Sequence, residues 1–308
     1  MLTNRVLPLI GVALIAGVAI RCGGSSPSSP SPTPPPINPG PDGGTPGPPA
    51  VLVGAGDIGS CKGAVSVAAT AQLIDRISGI VFTTGDNAYP NGSAANFRDC
   101  YEPHWGRHRA RTRPTPGNHD YDTPGATGYY TYFEDNAGPF GLGYYTYTAG
   151  SWRVIALNSE IPVGPGSAQL QWLRSELSAT RPRCTMVYWH KPLFTSGPNG
   201  PNRDMREIWR VLYEFDADLV VNGHDHLYER FAPQDPDGRP DQARGIRQLT
   251  VGTGGGDLYT PITSAPNTEA IGVVFGVVRL TLSNGGYQWE FMPIPGASFS
   301  DSGMGQCH

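Results

Sequence analysis

From about residue 50 onward, short apolar runs alternate with segments that carry apolar side chains at helical spacing. Val51 to Val53 is a short apolar strand. Ala64 to Ile77 places Val67, Ala71, Ile74 and Ile77 three or four apart, the spacing that lines one face of a helix. Gly79 to Thr84 reads as the next strand, and this order favours a parallel pair joined by a right-handed crossover. Trp152 to Asn158 alternates as a strand, and Ala168 to Leu177 is an amphipathic helix. Thr185 to Trp189 is again a strand, Arg203 to Phe215 a helix and Leu219 to Val221 a strand. The C-terminal part is β-rich, with strands over Arg247 to Thr250, Val273 to Leu282 and Tyr287 to Phe291, and Asn284-Gly285 as a hairpin turn. The class is α/β, and two sheets flanked by helices account for the order.

Five of these segments close on residue types that bind metals. They are Ala55-Gly56-Asp57-Ile58-Gly59, Gly85-Asp86-Asn87-Ala88-Tyr89, Gly117-Asn118-His119-Asp120, Trp189-His190 and Gly223-His224-Asp225-His226. Four of the seven histidines lie in them. Ligands in parallel sheets gather beyond the carboxyl ends of the strands, which is where Asp57 and Asp86 fall. The donors are too many for one ion and about right for two that share a carboxylate, the usual apparatus for hydrolysing phosphate esters. Glycine beside each ligand is expected to permit a sharp turn at Gly85, Gly117 and Gly223.

The order and spacing of these motifs resemble those of the calcineurin-like metallophosphoesterases, from about Val51 to the C-terminus. Most of that superfamily opens with Asp-x-His, whereas here Gly59 stands at the histidine position and Tyr89 closes the second motif, a pattern similar to the purple acid phosphatase branch. His224-Asp225-His226-Leu227-Tyr228-Glu229-Arg230 also looks like that branch. The resemblance implies a four-layer α/β/β/α sandwich of two mixed sheets, the metallo-dependent phosphatase fold. It also implies two metal ions. One is Fe(III) held by Asp57, Asp86, Tyr89 and His226. The other is Zn(II), Mn(II) or Fe(II) held by Asp86, Asn118, His190 and His224, with Asp86 as the bridge. A phenolate such as that of Tyr89 suits a strongly Lewis-acidic trivalent ion. By the same resemblance His119 is no ligand; it faces the substrate together with Asn118, and Asp120 holds its imidazole for proton donation to the leaving oxygen. His104, His108, Lys191 and His308 match no metal motif.

The implied activity is hydrolysis of phosphate monoesters by hydroxide formed from metal-bound water, without a phosphoenzyme. A phosphodiesterase on the same scaffold and a non-catalytic envelope binding module are the alternatives. The polar segment Pro233 to Gly245 follows the last motif and is expected at the pocket rim. The partner is a small phosphate ester. The basic run Arg107 to Arg113 reads as a solvated helix end and strand entry, with an arginine lining the substrate rim as its alternative.

Composition adds the setting. Arg5 precedes an uninterrupted apolar stretch from Val6 to Ile20, the pattern of an export signal over residues 1–22. Cys22 just past it resembles a bacterial lipoprotein signal, although Arg21 stands where a small residue is usual. Eleven prolines and six glycines among residues 23–49 make a linker that cannot build a core; stretched out, it reaches roughly 80 Å. Residues 50–308 are the catalytic domain. Without the leader, losing Arg5, Arg21 and Asp42 takes the formal charge from −4 to −5, which argues against nucleic acid held by phosphate neutralisation. The protein is expected in the cell envelope or outside the cell, with membrane contact only through a lipid at Cys22. Cys61, Cys100, Cys184 and Cys307 suggest two disulfides, and sequence alone permits three pairings. Cys61–Cys100 with Cys184–Cys307 is the expected pairing, because Cys61 and Cys100 follow the first two motifs at similar remove and Cys307 can fasten the tail.

Overall fold

A computed structural model describes residues 48–180 and 182–308. The export signal expected over 1–22, Cys22 and all but the last two residues of the linker lie outside the described residues. The strands are β1 Ala50–Ala55, β2 Ile80–Thr84, β3 Thr112–Thr115, β4 Tyr145–Ala149, β5 Trp152–Ala156, β6 Cys184–Tyr188, β7 Leu219–Asn222, β8 Tyr228–Phe231, β9 Arg247–Val251, β10 Thr268–Gly272, β11 Gly276–Ser283, β12 Gly286–Pro293 and β13 Asp301–Gln306. They form a six-stranded sheet ordered β13-β12-β11-β1-β2-β3 and a seven-stranded sheet ordered β10-β8-β9-β7-β6-β5-β4. Both are mixed. In the first, β1, β2 and β3 run parallel and β11 to β13 add antiparallel. In the second, β5, β6, β7 and β9 are parallel, and β4 and β8 flank them antiparallel.

The side-chain alternation of a strand explains the layers. On β5, β6 and β7, Val154, Ala156, Met186, Tyr188, Leu219 and Val221 face the core shared with the first sheet. Ile155, Val187 and Val220, one position out of phase, meet Leu170, Leu173 and Leu177 of the helix Ala168–Ala179 and Ile208, Trp209 and Leu212 of the helix Arg206–Glu214. Rings cross between the sheets at Phe82–Tyr188, Trp152–Tyr287 and Tyr228–Phe291, with centroids 5.6, 5.7 and 4.4 Å apart. The helix Ala64–Asp75 covers the first sheet through Val67, Ala71 and Ile74. This is the α/β/β/α sandwich, and every parallel strand of both sheets delivers its carboxyl end to one rim.

The basic run is structural. Residues Trp105–Arg111 form a 3₁₀ helix leading into β3. Arg107 pairs with Asp75 at 2.7 Å, and Arg111 donates to the carbonyls of Ile74, in the last turn of the first helix, and of Ile77 and Gly79 just beyond it. Strands β4, β8, β10 and β13 were not expected, and β3 was foreseen only as a strand entry at the end of the basic run. They are short or rich in Thr, Gly and Arg, and they take their register from neighbours instead of from their own apolar content. Among the described residues no helix is long and apolar enough to cross a membrane.

Two disulfides join Cys61 to Cys100 and Cys184 to Cys307, with Cα atoms 4.7 and 5.4 Å apart. Beside the second, the buried Asp218 carboxylate accepts the Thr185 amide at 2.7 Å and the His308 amide at 2.9 Å, tying the C-terminus to the start of β6. Burial pushes Asp218 up to about 6 against those donors. Folding therefore favours its protonated form. That contribution is full below the ordinary carboxylate range and is lost as pH rises through about 6. Cys307→Ser should lower stability by about 2–5 kcal/mol, because the lost bridge spans 123 residues of chain. Asp218→Asn should flatten the fall in stability between pH 4 and 7. Urea unfolding followed by tryptophan fluorescence reads both; unchanged midpoints and an unchanged pH profile would contradict them.

Candidate metal centre

Each motif leaves the rim two or three residues past a strand: Asp57 after β1, Asp86 after β2, Asn118 after β3, His190 after β6 and His224 after β7. Asp57, Asp86 and His224 hold left-handed backbones, with φ of 60°, 49° and 72°. Such conformations cost about 1–3 kcal/mol each in a non-glycine residue and persist only where the surroundings fix them. The fixing bonds are visible. Asp57 N–H donates to Gly85, Ile58 to Asp86, Gly59 to Asn87 and Tyr89 back to Gly59, at 2.9–3.0 Å. His224 N–H donates to the Asp57 carboxylate at 2.9 Å.

Of the three glycines expected at sharp turns, one is left-handed, and Gly223 opens a tight turn in which its carbonyl accepts the Asp225 amide at 2.9 Å. Gly85 has φ 90°, whereas Gly117 and Gly223 are outside the left-handed region. Their need is room. A Cβ on Gly117 would lie 2.2 Å from Asp86 Oδ1, and one on Gly223 would lie 2.7 Å from Asp57 Oδ2. Likewise a Cβ on Gly59 would lie 2.6 Å from the Asn87 carbonyl, so no histidine fits there, and Tyr89 reaches in from the facing loop.

The structure brings all seven expected ligand residues together. Tyr89 Oη lies 3.0 Å from Asp57 Oδ1, 3.2 Å from Asp86 Oδ2 and 3.0 Å from His226 Nε2. His226 Nε2 is 3.2 Å from Asp57 Oδ1. His190 Nε2 lies 3.1 Å from Asn118 Oδ1, 3.3 Å from Asp86 Oδ2 and 3.2 Å from His224 Nδ1. Asp86 Oδ2 faces both groups, while its Oδ1 accepts the His119 amide at 2.8 Å. Donors held about 2.1 Å from one ion at tetrahedral or octahedral angles are roughly 3.0–3.4 Å apart, which is the spacing found. Asp57, Asp86 and His190 are all fully or almost fully buried.

The chemistry of the set also fits cations. His190 Nδ1 lies 2.8 Å from the Thr84 carbonyl and His226 Nδ1 is against the Asp257 carbonyl. A carbonyl only accepts, so each Nδ1 carries the proton and each Nε2 lone pair points at other acceptors. Tyr89 brings one proton to three acceptors. Without a metal the cluster captures protons instead. Burial alone would lower His190, but the Asp86 carboxylate raises it to about 10. Burial alone would raise Asp86, yet His190 holds it well below the usual range. His224 falls to about 3 through burial and the charge on His190, and Asp57 raises His226 against its burial. Burial, Asp57 and Asp86 push the Tyr89 phenol well above 10, so a phenolate there requires a cation. The sulfurs of a second donor cluster, Cys184, Asp218 and Cys307, are spent in a disulfide.

Two expectations are corrected and one alternative is set aside. Asp120 does not hold His119. It points into the interior, where it accepts from the amides of Asn87 and Gly117 and from Asn87 Nδ2, and burial with the Asp86 charge pushes it up to about 7. Neighbours on a helical turn point about 100° apart, and the side chain that does reach His119 is Asp122, one turn on, 3.2 Å from Nδ1; the Pro90 carbonyl is 2.6 Å away. The segment Pro233 to Gly245 lines a different hollow, through Gln234, Asp237 and Gly238. No arginine of the run 107–113 lines the hollow at the cluster, whose wall includes Lys62, Pro90, Asp257 and Tyr259. Asp122, Asp257 and Tyr259 were missed. For the last two, Gly254-Gly255-Gly256 was the available signal of close approach: a Cβ on Gly256 would lie 3.0 Å from the His226 ring.

The calcineurin-like phosphoesterase family profile matches residues 51–228. An uncharacterised protein of Mycobacterium tuberculosis is 30% identical over 245 residues, covering 69% of this chain and 43% of the relative. Purple acid phosphatase 15 of Arabidopsis thaliana is 25% identical over 197 residues, covering 52% of this chain and 37% of the relative. A purple acid phosphatase from yellow lupin seeds has the same fold, with a TM-score of 0.68 at 18% identity, over 83% of this chain and 53% of that one. The chain thus spans less than half the length of the Mycobacterium tuberculosis and Arabidopsis thaliana relatives.

Because His190 must shed a proton to bind an ion, metal uptake by stripped protein should release protons near pH 7 and tighten as pH rises. Calorimetry in two buffers of different ionisation enthalpy measures the release. Gly117→Ala should abolish tight uptake while the chain stays folded. Uptake without proton release would contradict the trapped proton.

Proposed function

The chain belongs to the calcineurin-like phosphoesterase family, and we propose that it is an exported, binuclear, purple acid phosphatase-like hydrolase of phosphate monoesters. The observation that carries this reading is the buried cluster in which Asp86 Oδ2 faces two sets of donors at coordination spacing. Asp57, Asp86, Tyr89 and His226 would hold Fe(III); Asp86, Asn118, His190 and His224 would hold Zn(II), Mn(II) or Fe(II). Bound there, the ions supply charge neutralisation for the phosphate oxygens and activation of the attacking water.

The chain's own residues do the rest. Asn118 and His119 face the phosphoryl group from the helical turn after β3. His119 keeps Nδ1 turned to the Pro90 carbonyl and Asp122, which leaves Nε2, 3.9 Å from Asp86 Oδ2, to hold a proton toward the departing oxygen. Asp120 anchors the turn from below, by gathering the Asn87 and Gly117 amides. Two disulfides among the described residues support export, and the leader supplies the signal, with Cys22 as a lipid anchor.

Asp86→Ala should lose most bound metal and nearly all turnover while remaining folded. His119→Ala should keep both metals and lose about 10²- to 10⁴-fold in kcat, most for poor leaving groups. The protein isolated with iron should be pink to purple, and Tyr89→Phe should bleach it. Metal analysis, visible absorption and rates on an aryl monoester against an aryl diester check these outcomes. Colourless protein at full iron occupancy would remove the phenolate, and faster diester turnover would make it a phosphodiesterase.

A further inference from the structure

The hollow beside the donor cluster encloses about 450 Å³, within the range of small-ligand sites, about 300–1,000 Å³. Only part of its lining belongs to the phosphoryl chemistry. Tyr89, His119 and His226 are on the cluster side. The rest of the lining includes the Cys61–Cys100 bridge, Pro90 and Tyr259. The Tyr259 ring lies flat on His226, centroids 4.0 Å and planes 5° apart, and its backbone N–H donates to the His226 carbonyl at 2.9 Å. The ring is partly exposed, so it fixes His226 and offers a flat apolar surface next to it.

Besides its histidines, the charged residues of this lining are Lys62 and Asp257, both exposed. Neither side chain has an ion-pair or hydrogen-bond partner among the described residues. The chain's other lysine, Lys191, is bound to Glu160 at 2.6 Å, and Arg107, Arg109, Arg206 and Arg244 are all paired. One free charge of each sign beside a stacking surface is a recognition pattern.

We propose that the hollow seats the leaving group, and that it selects an aromatic ring with a zwitterionic tail, the chemistry of an O-phosphorylated aromatic amino acid. This rests on the monoesterase reading above. The ring packs between Tyr259 and Pro90; Lys62 takes the carboxylate and Asp257 the ammonium. The ester P–O bond breaks as water oxygen bonds to phosphorus, and a proton ends on the released phenol.

The test uses metal-loaded protein and three probes: O-phosphotyrosine, phenyl phosphate and glycerol 2-phosphate. Tyr259→Ala should lower kcat/KM for the two aromatic probes, relative to glycerol 2-phosphate, by roughly 3- to 10-fold. Tyr259→Phe should restore the ratio. Lys62→Met and Asp257→Asn should each lower phosphotyrosine relative to phenyl phosphate by roughly 2- to 5-fold. Metal content measured in every variant separates a lost contact from a lost ligand. Ratios that stay fixed while hydrolysis continues would overturn the leaving-group pocket alone. Failure of wild-type protein to hydrolyse any of the three would overturn the monoesterase reading beneath it.

Discussion

Lone pairs outnumber protons in the buried space where the strand ends of the two sheets meet. Two carboxylates, a phenol, an amide oxygen and three imidazoles converge there, and their spacings of 3.0–3.3 Å leave no room for water between them. Buried acceptors that face one another without a proton are costly. The backbone carbonyls of Thr84 and Asp257 sharpen the imbalance by claiming the imidazole protons on the far side. Glycines that admit no Cβ, left-handed aspartates and a histidine amide on Asp86 Oδ1 all serve to hold this arrangement, which a cation relieves.

What the sequence discloses depends on whether a residue acts through its own chemistry or through its neighbours. Asp57, Asp86, Tyr89, Asn118, His190, His224 and His226 announce themselves because donor side chains at the ends of apolar runs are uncommon, and the structure collects all seven. The long apolar strands and amphipathic helices were equally visible. Strands such as β13 were not, since Asp-Ser-Gly-Met-Gly-Gln carries no apolar period and pairs only because a neighbouring strand is there. Nor could the partner of His119 be read: Asp120 and Asp122 are both close in sequence, and only the phase of one helical turn decides between them.

Gly59 and Tyr89 show a substitution that works as a pair. The close pairing of Gly59 with Asn87 and Ala88 removes any space for a side chain at Gly59. The same pairing brings Tyr89 across to the position from which its oxygen meets Asp57, Asp86 and His226. Tyr259 then braces His226 from outside, and on the proposed reading the wall that limits the leaving group would also orient a ligand of the first ion. On that reading recognition and metal geometry would share residues on this side of the site, whereas the far side would rest on His190 and Asn118.

In the proposed centre one carboxylate oxygen, Asp86 Oδ2, would sit between two ions. Anomalous diffraction from crystals of the metal-loaded protein tests it directly. Two peaks roughly 3.5–4 Å apart are expected, one among Asp57, Tyr89 and His226 and the other among Asn118, His190 and His224, with Asp86 between them. A single peak, or two that do not share Asp86, would contradict it.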